Sequence, residues 1–339
     1  MKNYFFCLCM LALTAACVPD DKGKSEVAAE PVVLAYVTSW SSIMPDTEWV
    51  THINYAFGHV NETFNGVRID NEKRLQSIVL LRKQKPSLKI MLSIGGWGSG
   101  RFSEMAATEE NRKAFAADCR RVLEQFSLDG IDMDWEYPTS ADAGISSSPG
   151  DKHNFSLLIQ DTRAAIGEEK LLTFASVANA DYVDFRAVDD YVDFVNIMTY
   201  DMATPPYHHA GLYHSKLTRH LSVEEAVDAH INAGIASDKL NLGIPFYGRG
   251  SGEISNFIDY KEIIQLTGYN TQWDDVAKAP YLTNGDGVFV CTYETAQSIA
   301  LKCEFIRQKG MLGAMYWDYD GDDAEGTLRK AVYHGVMNE

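Results

Sequence analysis

The sequence predicts an α/β fold, a closed (β/α)8 TIM barrel with a small insertion between strand 7 and strand 8. Three observations carry that prediction. From Val32 onward, eight short β-branched runs alternate with longer helical patterns. Several of the runs are apolar on both faces, as strands of a parallel sheet covered by helices must be. The first run, "VLAYVTSW", is followed by no glycine-rich phosphate loop, which a doubly wound open sheet would carry.

Strands are expected at 33–39, 52–58, 89–95, 130–136, 171–177, 193–199, 240–246 and 312–317. The connection from the first to the second is short and its helix weak, as is that from the fifth to the sixth. After the second strand, Leu75, Ile78, Val79 and Leu81 form an apolar stripe over 72–84. After the third, Phe115, Cys119, Val122, Leu123 and Phe126 recur at three- and four-residue steps over 109–126. Residues 152–166 and 295–309 behave alike. "SVEE" opens a further helix with a capping box, Ser222 paired with Glu225. About 70 residues separate strand 7 from strand 8, so residues 251–290 are expected to add a helix and a final strand on the rim. The barrel as a whole is expected over 32–339.

The segment before it has a different character. "MKNYFFCLCMLALTAAC" places Lys2 ahead of an apolar run from Tyr4 to Ala16, too short to span a bilayer and the right length for a secretory signal. With Cys17 and the polar stretch that follows, it resembles a bacterial lipoprotein signal, in which the cysteine is lipidated. Thr14 departs from that pattern, since the usual leucine lies one position earlier, at Leu13. Ordinary cleavage without lipid is the alternative. The expected organisation is a signal at 1–16, a polar linker at 17–31 and then the barrel. The expected location is exported, anchored in an outer membrane or at the cell surface, and otherwise secreted or periplasmic. The lipid is the expected membrane contact.

Composition, with 46% hydrophobic and 23% charged residues, is that of a globular protein with a sizeable core. The formal net charge of −17 excludes nucleic acid as a partner, because such binding rests on Lys and Arg contacts with phosphate. A neutral, hydroxyl-rich glycan meets no such obstacle, and the charge also serves solubility. Cys119, Cys291 and Cys303 remain after the signal; their number and spacing imply buried thiols rather than a disulfide framework. With no CxxC pair and no HExxH, a zinc site is not expected.

The chemistry is concentrated in "DGIDMDWEYP", residues 129–138. Residues two apart on a strand point the same way, so Asp132, Asp134 and Glu136 share a face, roughly 6–7 Å from one to the next. Ile131, Met133 and Trp135 face the helices. The carboxylates therefore climb the barrel interior toward its C-terminal mouth, where barrel enzymes do chemistry. Like charges this close raise at least one pKa, which makes a general acid. Asp129 helps set the strand's geometry. A divalent-metal site needs oxygen ligands from several loops, and the other strand ends offer mainly aromatics.

Asp129-x-x-Asp132-x-Asp134-x-Glu136, followed by Tyr137-Pro138, resembles the signature of glycoside hydrolase family 18, the chitinase family. "LSIGGW" (92–97), "MTYD" (198–201), "PFYGR" (245–249) and "MYWDYDGDD" (315–323) resemble its segments on strands 3, 6, 7 and 8. The resemblance covers roughly residues 33–335 and implies the same barrel. It implies hydrolysis assisted by the substrate, whose N-acetyl oxygen attacks the anomeric carbon. Glu136 would protonate the leaving oxygen and later activate water. Asp134 would orient the acetamido N–H, Asp132 would share a proton with Asp134, and Tyr200 would hold the acetamido carbonyl. Asp201 would contact the sugar just beyond the cleaved bond. Trp317 matches the family's floor under the reacting sugar, and Trp97 and Trp40 its further stacking positions. Tyr36, Phe57 and Tyr247 are expected to line the pocket, with Met198 and Arg249 beside them, and Ser93 to support the buried aspartate. Plain core packing is the alternative for each aromatic. Trp273 is open to either role, and His208 and His209 are expected to be structural.

The resulting expectation is an exported, lipid-anchored, monomeric glycosidase that cleaves β-1,4-linked N-acetylglucosamine polymers, chitin or its oligosaccharides, without metal or organic cofactor. An endo-β-N-acetylglucosaminidase acting on N-glycan cores is the alternative, and a non-catalytic chitinase-like lectin a further one.

Overall fold

The structure, a computed structural model, describes Met1 and residues 30–338. The signal sequence, Cys17 and nearly all of the linker lie outside the described residues.

Eight parallel strands form the barrel: Val32–Thr38, His52–Val60, Lys89–Gly95, Gly130–Asp134, Leu171–Val177, Phe194–Met198, Leu240–Pro245 and Gly313–Trp317. They are called barrel strands 1 to 8 below. Each pairs with the next, and the eighth returns to the first in register Val32↔Gly313 to Ala35↔Tyr316, which closes the sheet. Their alternation sorts side chains into two apolar layers. In barrel strand 1, Val33, Ala35 and Val37 pack outward into the large cluster beneath the helices. Val32, Leu34 and Tyr36 point inward to a smaller cluster with Met91, Phe194 and Met315. The interior is thus packed with apolar side chains at its base, and a cleft opens at its C-terminal end.

The helices follow their sequence stripes. Glu109–Phe126 buries Phe115, Cys119, Val122, Leu123 and Phe126. Val223–Ala233 begins with the Ser222–Glu225 capping box, both halves formed. The first connection holds only the 3-10 turn Thr47–Trp49, and the fifth only the helix Phe185–Val188 with the 3-10 turn that follows it.

Two regions depart from expectation. Barrel strand 4 ends at Asp134, so Glu136 sits in the loop that follows rather than on the strand. The ladder runs out there, with Gly95↔Asp134 on one side and Phe174↔Met133 on the other the last pairs. Between barrel strands 7 and 8 stands a five-stranded antiparallel sheet, its strands Ile258–Asp259, Tyr247–Gly250, Phe289–Thr292, Ala279–Thr283 and Asn270–Asp274 in spatial order. It starts immediately after Phe246, so Tyr247 and Arg249 belong to it. Cys119, Cys291 and Cys303 are free, buried thiols.

Candidate active site

Asp132 lies in the barrel interior with no solvent exposure. Four other barrel strands each send it a donor. Its Oδ2 accepts from the Tyr36 hydroxyl and from Ser93 Oγ, each at 2.8 Å. Its Oδ1 accepts from Thr173 Oγ1 at 2.6 Å and from Asn196 Nδ2 at 3.2 Å. Burial pushes its pKa up while these four hydrogen bonds pull against that rise. Ser93 thus stands where the sequence reading put it.

Asp134, one turn of the pleat further along, lines the open cleft. Its Oδ1 is buried with no hydrogen-bond partner among the described residues. No hydrogen bond joins it to Asp132, whose oxygens are engaged by other donors. In this arrangement Asp132 acts on Asp134 through its charge. Burial first, then the charges of Glu136 and Asp132, raise the Asp134 carboxyl well above its ordinary value. Glu136 is pushed up to about 7, by burial above all and by the charge of Asp201, against a hydrogen bond with Tyr137. A carboxyl of that kind is protonated at mildly acidic to neutral pH and can both donate and retake a proton.

The loop after barrel strand 3 places these groups. Gly95 has φ 131°, and a Cβ there would stand 1.9 Å from the Asp134 carbonyl oxygen. Gly96, with φ 92°, donates its N–H to that same oxygen at 2.8 Å, and a Cβ on it would meet the Phe57 ring at 2.7 Å. The two glycines of "LSIGGW" therefore let the backbone of strand 3 lie against Asp134 and leave room for Phe57.

Around the carboxylates opens a cleft of about 830 Å³. Tyr36, Trp40, Phe57, Trp97, Met198, Tyr200, Asp201, Tyr247, Arg249 and Trp317, all expected at the site, line it together with Asp134 and Glu136. The Phe57 and Trp317 rings stack with centroids 5.6 Å apart and planes 19° apart. Trp40 and Trp97 are 68% and 63% exposed at the cleft, so core packing does not account for them. Trp135, by contrast, is buried against Phe102 on the helix side. Tyr200 is raised well above the ordinary tyrosine value, by burial first and then by the carboxylates, so its hydroxyl stays a donor.

Asp201 sits at φ 58° just past barrel strand 6. Arg249 grips it with Nε to Oδ1 at 2.6 Å and Nη2 to Oδ2 at 2.5 Å. Burial opposes its charge, but His209 and the Arg249 guanidinium beside it hold its carboxyl well below the usual range. Trp273 lies in the inserted sheet, away from the cleft, with Nε1 donating to Asp275 at 3.0 Å. His208 Nε2 meets Asp274 Oδ2 at 3.3 Å, within the packing of that sheet.

Three participants went unread in the sequence. Thr173 and Asn196 are lone polar residues inside apolar strand runs, at inward positions, and that signal could have found them. Tyr137 follows Glu136 directly and bonds to it. Among the described residues no group of three or more His, Cys, Asp or Glu side chains could hold a metal ion.

The family model described as "Glycosyl hydrolases family 18" matches residues 32–322. Chitinase A1 of Niallia circulans is 34% identical over 291 residues, 71% of this chain but 42% of that protein's length. An endochitinase of Manduca sexta is 30% identical, with 96% of this chain and 68% of that one covered. In structure, a family 18 N-acetylglucosaminidase from Paenibacillus barengoltzii aligns with a TM-score of 0.83 at 34% identity, covering 90% of this chain and all of the other.

Proposed function

The chain belongs to family 18 of the glycosyl hydrolases, and from that premise we propose that it cleaves β-1,4-linked N-acetylglucosamine polymers by substrate-assisted hydrolysis with retention. The observation that carries this reading is the state of the two upper carboxyls. Glu136 holds a proton to about pH 7 in the cleft wall, while Asp134 is buried beside it with an unpartnered oxygen. One group can deliver a proton, and the other can receive a ligand's N–H.

The steps follow. Glu136 gives its proton to the glycosidic oxygen as the bond to the anomeric carbon breaks. The acetamido oxygen of the sugar over Trp317 forms the new bond to that carbon from the opposite face, giving a cyclic oxazolinium cation. Asp134 accepts the acetamido N–H and offsets the cation's charge. Tyr200 donates to the acetamido group and holds its oxygen in line. Water then attacks the anomeric carbon, Glu136 takes a proton from it, and the ring of the intermediate opens with configuration retained. Asp132, fixed by its four donors, stands beneath Asp134.

Mass spectrometry of products from N-acetylglucosamine oligomers, glucose oligomers of the same linkage and a high-mannose glycopeptide tests this reading. Cleavage of the first alone is expected. Cutting of the glucose oligomers at a similar rate would remove the acetamide from the mechanism. Cleavage of the glycopeptide alone would move the substrate to N-glycan cores. A thiazoline analogue of the cyclic intermediate should inhibit, because it resembles the state that the site stabilises.

We further infer export with a lipid on Cys17. Support comes from the apolar run before that cysteine and the polar stretch after it. Among the described residues no helix is long and apolar enough to cross a membrane. A monomer suffices for this chemistry, since one chain supplies every group named.

A further inference from the structure

His209 is completely buried, yet neither ring nitrogen has a hydrogen-bond partner within ordinary geometry among the described residues. Its Nδ1 stands 3.5 Å from Asp201 Oδ1. Its ring edge lies against Tyr247, with centroids 5.5 Å apart. A buried imidazole with nothing else to bond to costs stability unless it serves its one polar neighbour.

The main chain explains how it is aimed. The His209 carbonyl accepts from Met202 N–H at 3.1 Å, which ties it to the loop carrying Asp201. The His209 N–H donates to Thr292 Oγ1 at 3.3 Å. Thr292 is the ladder partner of Arg249 in the inserted sheet. The inserted sheet therefore serves both basic side chains beside Asp201: it carries Arg249 and, through Thr292, ties down the His209 backbone.

We propose that His209 is a positioning residue for glycoside cleavage: with Arg249, and held by the inserted sheet, it fixes the Asp201 carboxylate in the cleft opposite Glu136. This rests on the functional reading above, in which Asp201 contacts the sugar beyond the cleaved bond. The donation requires the tautomer with hydrogen on Nδ1. His209 stays neutral, because burial lowers its pKa while Asp201 and Glu294 pull it up and Lys302 pushes it down. The other groups turned toward it are Tyr247 and His208. A neutral donor steadies Asp201 without cancelling its charge, and that charge helps to keep the proton on Glu136.

Two substitutions separate this role from packing. His209→Leu fills the space but cannot donate, whereas His209→Asn keeps an N–H near the same place. The leucine variant should raise KM for N-acetylglucosamine oligomers by about tenfold, the loss of one charge-assisted hydrogen bond. Its alkaline limb of kcat/KM should move to lower pH by roughly a few tenths of a unit, as a wandering Asp201 raises the Glu136 pKa less. The asparagine variant should keep most of the wild-type profile. A folded leucine variant with wild-type KM and pH profile would overturn the proposal, as would an asparagine variant as impaired as the leucine one. If the leucine variant does not fold, Thr292→Ala reads the same clamp from its backbone side and should move the same limb; an unmoved limb overturns the proposal. Wild-type protein that cuts no such oligomer would instead count against the functional reading.

Discussion

Glu136 and Asp134 make the sharpest predictions at the level of single residues. Glu136→Gln keeps the shape but cannot pass a proton, so activity should fall by at least ~10² while oligomer binding survives in calorimetry. In the wild type, the alkaline limb of kcat/KM should lie near the value of about 7 that burial confers on Glu136. Activity is lost as pH rises through it, because the acid is then spent. Stability runs the same way. A carboxyl whose pKa is raised on folding costs nothing below its unfolded value of about 4.3, and its cost is complete above its folded value. Glu136→Gln should therefore melt a few degrees above wild type at pH 8 and level with it at pH 4, a difference that differential scanning calorimetry reads. Equal melting at pH 8 would mean that the site carries no such strain.

The turn after barrel strand 3 and the inserted sheet are the elements that shape the site. Gly95→Ala would drive a methyl into the Asp134 backbone, which neither strand can yield without breaking the ladder. It should abolish activity and lower the melting temperature. Gly96→Ala meets the edge of the Phe57 ring instead, which can swing. It should cost oligomer affinity through the Phe57–Trp317 stack and leave the melt closer to wild type. If the two variants behave alike, the distinction between backbone and ring contact fails. The inserted sheet carries Tyr247 and Arg249 on its first strand, so its docking decides one wall of the cleft.

For the molecule as a whole, the closed barrel divides its side chains into an outer apolar layer under the helices and an inner one that ends in carboxylates. Val32, Leu34, Met91 and Met315 close the interior below the carboxylates. The net charge of −17 suits a neutral glycan and repels polyanions. Attachment belongs to this scale also. If Cys17 is acylated, natively expressed protein should partition into membrane or detergent, and Cys17→Ser should be released. Equal solubility of the two forms would reject the anchor.

Much of this was legible in the sequence, because a strand's period of two writes burial directly into residue order. "GIDMDWE" announces acidic and apolar faces, the eight runs announce their number, and the stripe from Phe115 to Phe126 announces a helix. What the sequence alone determined was therefore the barrel, the carboxylates that face its mouth and the aromatics at the strand ends. The tertiary structure decided where strand 4 stops, because that depends on Gly95 and Phe174 in other strands. It decided that Thr173 and Asn196 converge on Asp132, since their partner lies 41 and 64 residues away. It also decided that His209 meets Asp201 through a sheet strand more than 80 residues on. Local order records which face a side chain takes, but the partner waiting there is set by loop closure and strand register, and these are properties of the folded chain.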